Sequence, residues 1–294
     1  MLFDFGANVK YYYLLRYYIY KFDSICYNFQ KKEVEVLMKE FFGFGGYQRD
    51  VEGYFSWQHL TFVTCLMIVM VTLSIVLGLR NRHKDEKTKN KVLIWAAILI
   101  DSFELFKIVL LCFRSKDPLD WIYSLPLFLC SIQLITIPLS AFSKGRLKEA
   151  SLDFVFIFGI LGAVLGTYLA GNNYSSYPVL SFDNVVSGIT HCISGFASLY
   201  IVISGMESMK KKNIFITYSI MLSFAIAAYI VNIIIDYNYM FLMRGDGTPY
   251  DIVYNLVNGN KVIYPITVVV LFIVYISVFY YVYYLIKTKK LKSK

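Results

Sequence analysis

Charged residues are scarce in this chain of 294 residues. They make up 17% of the sequence, whereas 57% of the residues are hydrophobic and 18% are aromatic. A soluble domain has roughly a quarter of its residues charged, and it buries one core. Here long apolar runs recur along the chain, so the scarcity of charge excludes an ordinary soluble fold. It predicts an all-α, multipass membrane helix bundle in which lipid replaces much of the burial.

Other features that the sequence lacks narrow the class of membrane protein further. The five cysteines show no metal-ligand spacing, so we expect neither a disulfide framework nor a zinc site. No internal repeat is visible, and inverted repeats are the usual mark of secondary transporters. The net charge of +9 is divided among short segments rather than gathered in one patch. We therefore expect membrane lipids as partners, no nucleic acid, and no cofactor or inferable protein partner.

Seven apolar segments follow one another from Trp57 onward, and each is near the ~20 residues that a helix needs to cross hydrocarbon. The connections between them alternate in charge: residues 80–91 hold six Lys or Arg, whereas residues 171–182 hold none. The positive-inside rule then predicts about seven transmembrane helices in the cell membrane, with the N-terminus outside and the C-terminus inside. The predicted spans are 57–79, 92–113, 121–142, 152–170, 183–207, 214–236 and 262–286.

Residues 1–50 are predicted to be an N-terminal extension, interfacial or partly disordered, and 51–294 the integral membrane domain. The tyrosine-rich run 11–29 contains charges that would be costly inside a span, which favours an amphipathic helix at the interface. A start of translation at Met38 is an equal alternative, because MKEFFGFGGY resembles a natural beginning. The basic residues of the extension conflict with an outside location, unless an eighth crossing holds it on the inner face.

The predicted third span, WIYSLPLFLCSIQLITIPLS, carries two prolines, a cysteine and a glutamine that an anchoring span does not need. If the segment is helical, Pro126, Cys130 and Gln133 lie along one face, because they are spaced by four and three residues. This face is a candidate wall of a site. A lone cysteine in a membrane is more often a small hydrophobic residue, so both interpretations stay open.

Two other spans carry ionisable residues at a similar depth. Counting about 1.5 Å per helical residue places Cys130, His191 and Glu104 roughly 12 to 13 Å below the outer boundary. An imidazole inside a span needs partners and is a functional candidate. Glu104 lies on one face with Asp101 and Lys107. Two compatible interpretations are an internal ion pair between Glu104 and Lys107, and a carboxylate that orients His191 or carries protons.

Further candidates surround these residues. The small residues near His191 suit a cavity wall or plain helix packing equally well, and the glycines of the fourth span predict close packing without chemistry. Residues 250–261 are predicted to form a short surface or re-entrant helix that is either a lid or part of an ordinary loop. The candidate lining residues are Ser187, Ser194, His59 and Tyr239, and Asn238 is a supporting residue of the outer loop.

Several pieces of the sequence together resemble a known family. They are FFGFGGY followed by FSWQHL, LPLFLC, THCISGFASLY and NYMFL. Over about residues 38–286 the chain resembles the YwaF-like integral membrane proteins, a group that includes animal transmembrane protein 164. The resemblance implies seven or so spans and transfer of an acyl chain between phospholipids. It also implies a cysteine nucleophile with a histidine partner, roles that fall on Cys130 and His191.

The chemistry of such a pair is coherent. A neutral His191 would take the proton of the Cys130 thiol, and Gln133 or a backbone amide near Pro126 would donate to the oxyanion. The predicted function is a membrane-embedded lipid acyltransferase or lipid hydrolase. The alternatives are a transporter or sensor that uses Glu104 and His191 for protons or a ligand, and a structural membrane protein. Contact between Cys130 and His191 favours the enzyme, whereas a continuous polar path to the inner face favours transport.

Overall fold

The computed structural model describes residues 34–292, and every regular element in that range is helical. The all-α prediction is therefore confirmed for this part of the chain, whereas the predicted interfacial run 11–29 lies outside it. The α-helices are α1 (34–42), α2 (Trp57–Asn81), α3 (Glu86–Ser115), α4 (Gln133–Phe142), α5 (Gly145–Tyr168), α6 (Gly171–Ser176), α7 (Phe182–Ser204), α8 (Ile214–Ile235), α9 (Tyr250–Leu256) and α10 (Ile263–Lys292).

Five of these helices, α2, α5, α7, α8 and α10, are long and apolar enough to cross a membrane. The chain is therefore a multipass helical membrane protein. Helix α3 is 30 residues long but carries several charged side chains, and α4 has only ten residues. The predicted surface helix after the sixth span is present as α9.

The predicted third span is not one helix. Residues Asp120–Ser124 form a 3-10 turn, the next eight residues are irregular, and α4 begins only at Gln133. The predicted helical face shared by Pro126, Cys130 and Gln133 is therefore wrong. The physical cause is Pro126, whose ring disfavours helical backbone at the preceding residue. Leu125 accordingly has an extended ψ of 147°.

The helices alternate in direction between two ends of the bundle. At one end His59, near the start of α2, donates through Nε2 to the carbonyl of Thr167, near the end of α5, at 3.1 Å. At the opposite end Asn90, near the start of α3, donates to the carbonyl of Ala141 at 2.7 Å. The chain that leaves α3 thus returns along the bundle through the irregular segment and α4.

Helix α7 lies at the centre, between α2, α3 and α5. Small residues bring its backbone close to its neighbours. A Cβ added at Gly159 would stand 2.7 Å from the carbonyl oxygen of Ser194, and one at Gly195 would stand 2.6 Å from Cβ of Ala163. At Gly159 the predicted close helix packing is therefore what the structure shows.

A clamp of Tyr47, Arg114 and Asp183 ties the segment after α1 to the bundle. Arg114 donates to both carboxylate oxygens of Asp183, at 2.6 and 2.8 Å, and Tyr47 donates to the same carboxylate at 2.5 Å. Burial and the neighbouring Asp183 raise the pKa of Tyr47 to about 12, so the phenol stays a donor. Gly43 has a φ of +70° and packs directly against Arg114. The FFGFGGY motif thus has a structural role.

Candidate functional site

Cys130 lies in a hydrogen-bonded turn, residues 128–132, that leads directly into α4. The Ser131 hydroxyl accepts a hydrogen bond from the amide of Phe128 at 3.0 Å and donates to the carbonyl of Phe128 at 3.1 Å. The same carbonyl accepts from the amide of Ile132 at 3.0 Å. Phe128 therefore begins the turn, and Cys130 follows two residues later.

The backbone amides of Leu129, Cys130 and Ser131 make no hydrogen bond to any other residue that the structure describes. Amides at the start of a helical turn have no partner within the turn. These three amides are therefore free donors close to the thiol.

Tyr239 supports the segment that leads to Cys130. Its hydroxyl donates to the carbonyl of Ile122 at 2.5 Å and accepts from the amide of Leu125 at 3.1 Å. Its own backbone is held on both sides by the Asn232 side chain, at 2.6 and 3.0 Å. Tyr239 is fully buried. It therefore acts on the site through the backbone of the irregular segment, and its side chain presents no surface to a cavity.

His191 faces Cys130 from α7. Its Nδ1 donates to the carbonyl of Ser187, one turn earlier, at 2.7 Å. This bond fixes the tautomer that carries its proton on Nδ1 and leaves the Nε2 lone pair free. The Cys130 thiol and the His191 imidazole are neighbours that interact electrostatically. A thiol, an imidazole and an acceptor that orients the imidazole thus lie next to one another, as a cysteine nucleophile and its base require.

Two glycines of α5 form the surface under this pair. A Cβ at Gly162 would stand 3.6 Å from Cβ of Cys130, and a Cβ at Gly166 would stand 2.0 Å from Nε2 of His191. Residues four apart share a helix face, so both glycines serve the same site. The prediction that assigned this helix no chemistry did not foresee that role. Its sequence signal is the four-residue spacing of the glycines.

Lys107 is the site residue that sequence reasoning missed, because the sequence offered it only as a partner of Glu104. The structure confirms that pair, with Nζ 2.6 Å from Oε1 of Glu104. The ammonium of Lys107 also acts electrostatically on both Cys130 and His191. The side chain of Asp101 is exposed. Its electrostatic neighbour is the carboxylate of Glu104, not Cys130 or His191.

Gln133 and Ser194 lie in the interior near these elements. Gln133 is fully buried, and its Oε1 accepts from the Thr136 hydroxyl at 3.0 Å. Its Nε2, like the Oγ of Ser194, has no hydrogen-bond partner among the described residues. An unpaired buried amide costs about 1 to 3 kcal/mol, so the Gln133 side chain is held in the interior at an energetic cost.

His59 and Asn238 lie away from the pair. Both ring nitrogens of His59 are engaged, Nδ1 by the amide of Phe55 at 3.2 Å and Nε2 by the carbonyl of Thr167. The centre of the His59 ring lies 3.9 Å from the centre of the Tyr174 ring, and His59 has no exposed surface. Asn238 accepts from the amide of Met243 at 2.9 Å and so shapes its own loop.

Cys130 and His191 both keep partly accessible surface. Neither residue is therefore completely enclosed by the bundle. Within residues 34–292 no group of three or more His, Cys, Asp or Glu is placed to hold a metal ion.

The fold and this site define a polytopic helical membrane protein with a thiol and an imidazole facing each other inside the bundle. The family model described as the TMEM164 family matches residues 54–287. This range is most of the chain, and the chain belongs to that family. No curated protein and no solved structure gives a significant match.

Proposed function

We propose that the protein is a lipid acyltransferase or lipid hydrolase in which Cys130 accepts the acyl group and His191 is the general base. The observation that carries the proposal is that the Cys130 thiol and the His191 imidazole are interacting neighbours, while Nδ1 of His191 is held by the carbonyl of Ser187. A neutral buried thiol is a poor nucleophile until a base takes its proton. The resemblance to the YwaF-like proteins assigns the same two residues.

The first half-reaction begins when Nε2 of His191 takes the thiol proton. The thiolate of Cys130 attacks the carbonyl carbon of a lipid ester, and a carbon–sulfur bond forms. The carbonyl oxygen becomes an oxyanion, which the free amides of residues 129–131 can stabilise. When the intermediate collapses, the ester carbon–oxygen bond breaks. The leaving alkoxide takes the proton from the His191 imidazolium and departs as a lysolipid.

In the second half-reaction His191 takes a proton from an acceptor hydroxyl. The acceptor oxygen attacks the thioester carbonyl, the carbon–sulfur bond breaks, and the Cys130 thiolate regains its proton. A lipid alcohol as acceptor gives acyl transfer, and water gives hydrolysis. The nearby Lys107 ammonium favours the thiolate and the oxyanion, because both are negative.

The position of the site within the membrane follows from a proposed topology. In that topology α3 and the segment 120–142 also cross, which brings the total to seven, and the C-terminus is inside. The lysine-rich connections at one end of the bundle support this orientation. Cys130 then lies in the outer half of the bilayer, from which the ester group would approach the thiol.

The proposal is tested with the purified full chain in lipid vesicles that contain a phospholipid with a labelled acyl chain. The wild type is compared with Cys130→Ala and with Cys192→Ala, a buried cysteine next to His191 in sequence. We expect transfer or release of the label by the wild type and by Cys192→Ala, and none by Cys130→Ala. Equal activity of wild type and Cys130→Ala would rule out a cysteine nucleophile.

A further inference from the structure

A groove of about 290 Å³ lies between α8 and α10, away from the Cys130 site. It is at the end of the bundle where α8 begins and where α10 reaches the end of its apolar stretch, Ile263–Thr288. One lysine, three tyrosines and two smaller residues form its walls. These lining residues are Lys211, Ile214, Ser277, Tyr280, Tyr281 and Tyr284.

The ammonium of Lys211 is the free cation of this groove. It lies 5.3 Å from the centre of the Tyr284 ring, a cation–π distance that keeps it at the groove wall. The preceding Lys210 is instead paired with the carboxylate of Glu149. Lys211 has no acidic partner at ion-pair distance within the described chain. Its positive charge is therefore available to a ligand.

A buried carboxylate holds the groove in shape. Asp153 has no exposed surface, and its Oδ1 accepts from the amides of Ser208 and Met209, at 3.0 and 2.7 Å. Its Oδ2 accepts from the hydroxyl of Tyr280 at 2.9 Å. The loop that carries Lys211 and the helix that carries Tyr280 are thus fixed to the same side chain. The cation and the tyrosine wall are placed before any ligand binds.

We infer that this groove binds one anionic phospholipid, with its phosphate on Lys211 and part of an acyl chain along Ile214 and Tyr281. Tyr281 is 64% exposed in the apolar stretch of α10, so the groove faces lipid. Tyrosine and lysine together mark the level of lipid headgroups. The unpaired charge selects a headgroup with net negative charge over a zwitterionic one, whose own cation would be repelled.

The test measures thermal unfolding of the purified full chain in neutral detergent, with phosphatidylglycerol, phosphatidylcholine or inorganic phosphate added. Binding to the folded state raises the Tm in a saturable way. We expect phosphatidylglycerol to raise the Tm and the other two additives to leave it unchanged. An equal rise with phosphatidylcholine, a rise with inorganic phosphate alone, or no rise at all would overturn the inference.

Substitutions at two neighbouring lysines distinguish a defined lipid-binding site from diffuse electrostatic attraction. Lys211→Gln should abolish most of the response to phosphatidylglycerol, whereas Lys212→Gln should keep it, because Lys212 does not line the groove. If both variants lose the response equally, the attraction is diffuse and no site exists. If Lys211→Gln unfolds on its own, Lys211→Arg replaces it in the test. That variant keeps the charge and must keep the response.

Discussion

The imidazole of His191 lies directly over Gly166: a Cβ at residue 166 would stand 2.0 Å from both Nε2 and Cδ2 of the ring. Glycine inside a helix costs about 0.5 to 1 kcal/mol relative to alanine. At this position it leaves the space that the imidazole occupies. Four residues earlier, Gly162 gives Cys130 ordinary van der Waals room at 3.6 Å.

Gly166→Ala should therefore displace His191 from Cys130 without unfolding the helix. We expect acyl transfer to fall about a hundredfold, because catalysis is sensitive to misplacement of about 1 Å. Gly162→Ala is the matched control, since its new methyl group would meet Cys130 at an ordinary van der Waals distance of 3.6 Å and would displace nothing. Initial rates and thermal unfolding of both variants check this. A Gly166→Ala protein with wild-type rates would show that the position of His191 does not matter.

Tyr239→Phe should loosen the segment that carries Cys130. The change removes the hydroxyl that joins Ile122 and Leu125, and it leaves a buried amide and carbonyl unpaired. The expected loss of stability is about 1 to 3 kcal/mol, with a slower acylation of Cys130. Tyr264→Phe is the control, because its hydroxyl bonds to the carbonyl of Phe241 instead. Equal acylation rates in the two variants would contradict a role for Tyr239 in positioning the thiol.

The Arg114 and Asp183 pair should hold the segment that precedes α2. Both side chains are largely buried, at 13% and 16% exposure, and loss of one partner leaves an uncompensated charge. Asp183→Asn should lower stability by about 3 kcal/mol and speed the cleavage by trypsin after Arg49, because the segment around it is held less firmly. Asp246→Asn, in the exposed pair with Arg244, should change stability by less than about 1 kcal/mol. Equal effects of the two changes would show that the clamp is not formed.

Much of the architecture is predictable, because the apolar segments are long and their connections alternate in charge. The five apolar helices lie close to their predicted ranges. The broken third span is different. A helical count placed Cys130 level with His191, its neighbour in the structure, although the segment around Cys130 is not a regular helix. Pro126 interrupts the helix at Leu125, and the periodicity of the apolar residues does not reveal this break.

The site was only partly predictable for a similar reason. Cys130 and His191 stand out because thiols and imidazoles are unusual in apolar runs. Lys107 and Gly166 do not stand out in the sequence, because their roles depend on which faces of the helices meet in the folded bundle. The NYMFL motif likewise gives no sign that Tyr239 bonds to a segment 114 residues earlier in the chain.

Glu207→Gln should stabilise the protein at neutral pH. Burial raises the pKa of Glu207 above its ordinary value, and its Oε2 has no hydrogen-bond partner in the described chain. The ionised form thus destabilises the folded state. That penalty is present above the folded-state pKa and disappears as the pH falls below the unfolded-state pKa. We expect a Tm higher by about 2 °C at neutral pH and no difference in acid. An unchanged Tm at both pH values, as expected for the exposed Glu86→Gln, would contradict this.

The most direct test of the Cys130 proposal is to locate the acyl group on the protein during turnover. The full chain is mixed with a phospholipid carrying a labelled acyl chain, quenched in acid, and mapped by peptide mass spectrometry. We expect a thioester on Cys130 that hydroxylamine removes. It should be present in Cys192→Ala and much reduced in His191→Gln. Turnover by the wild type with no adduct on Cys130, together with full activity of Cys130→Ala, would contradict it.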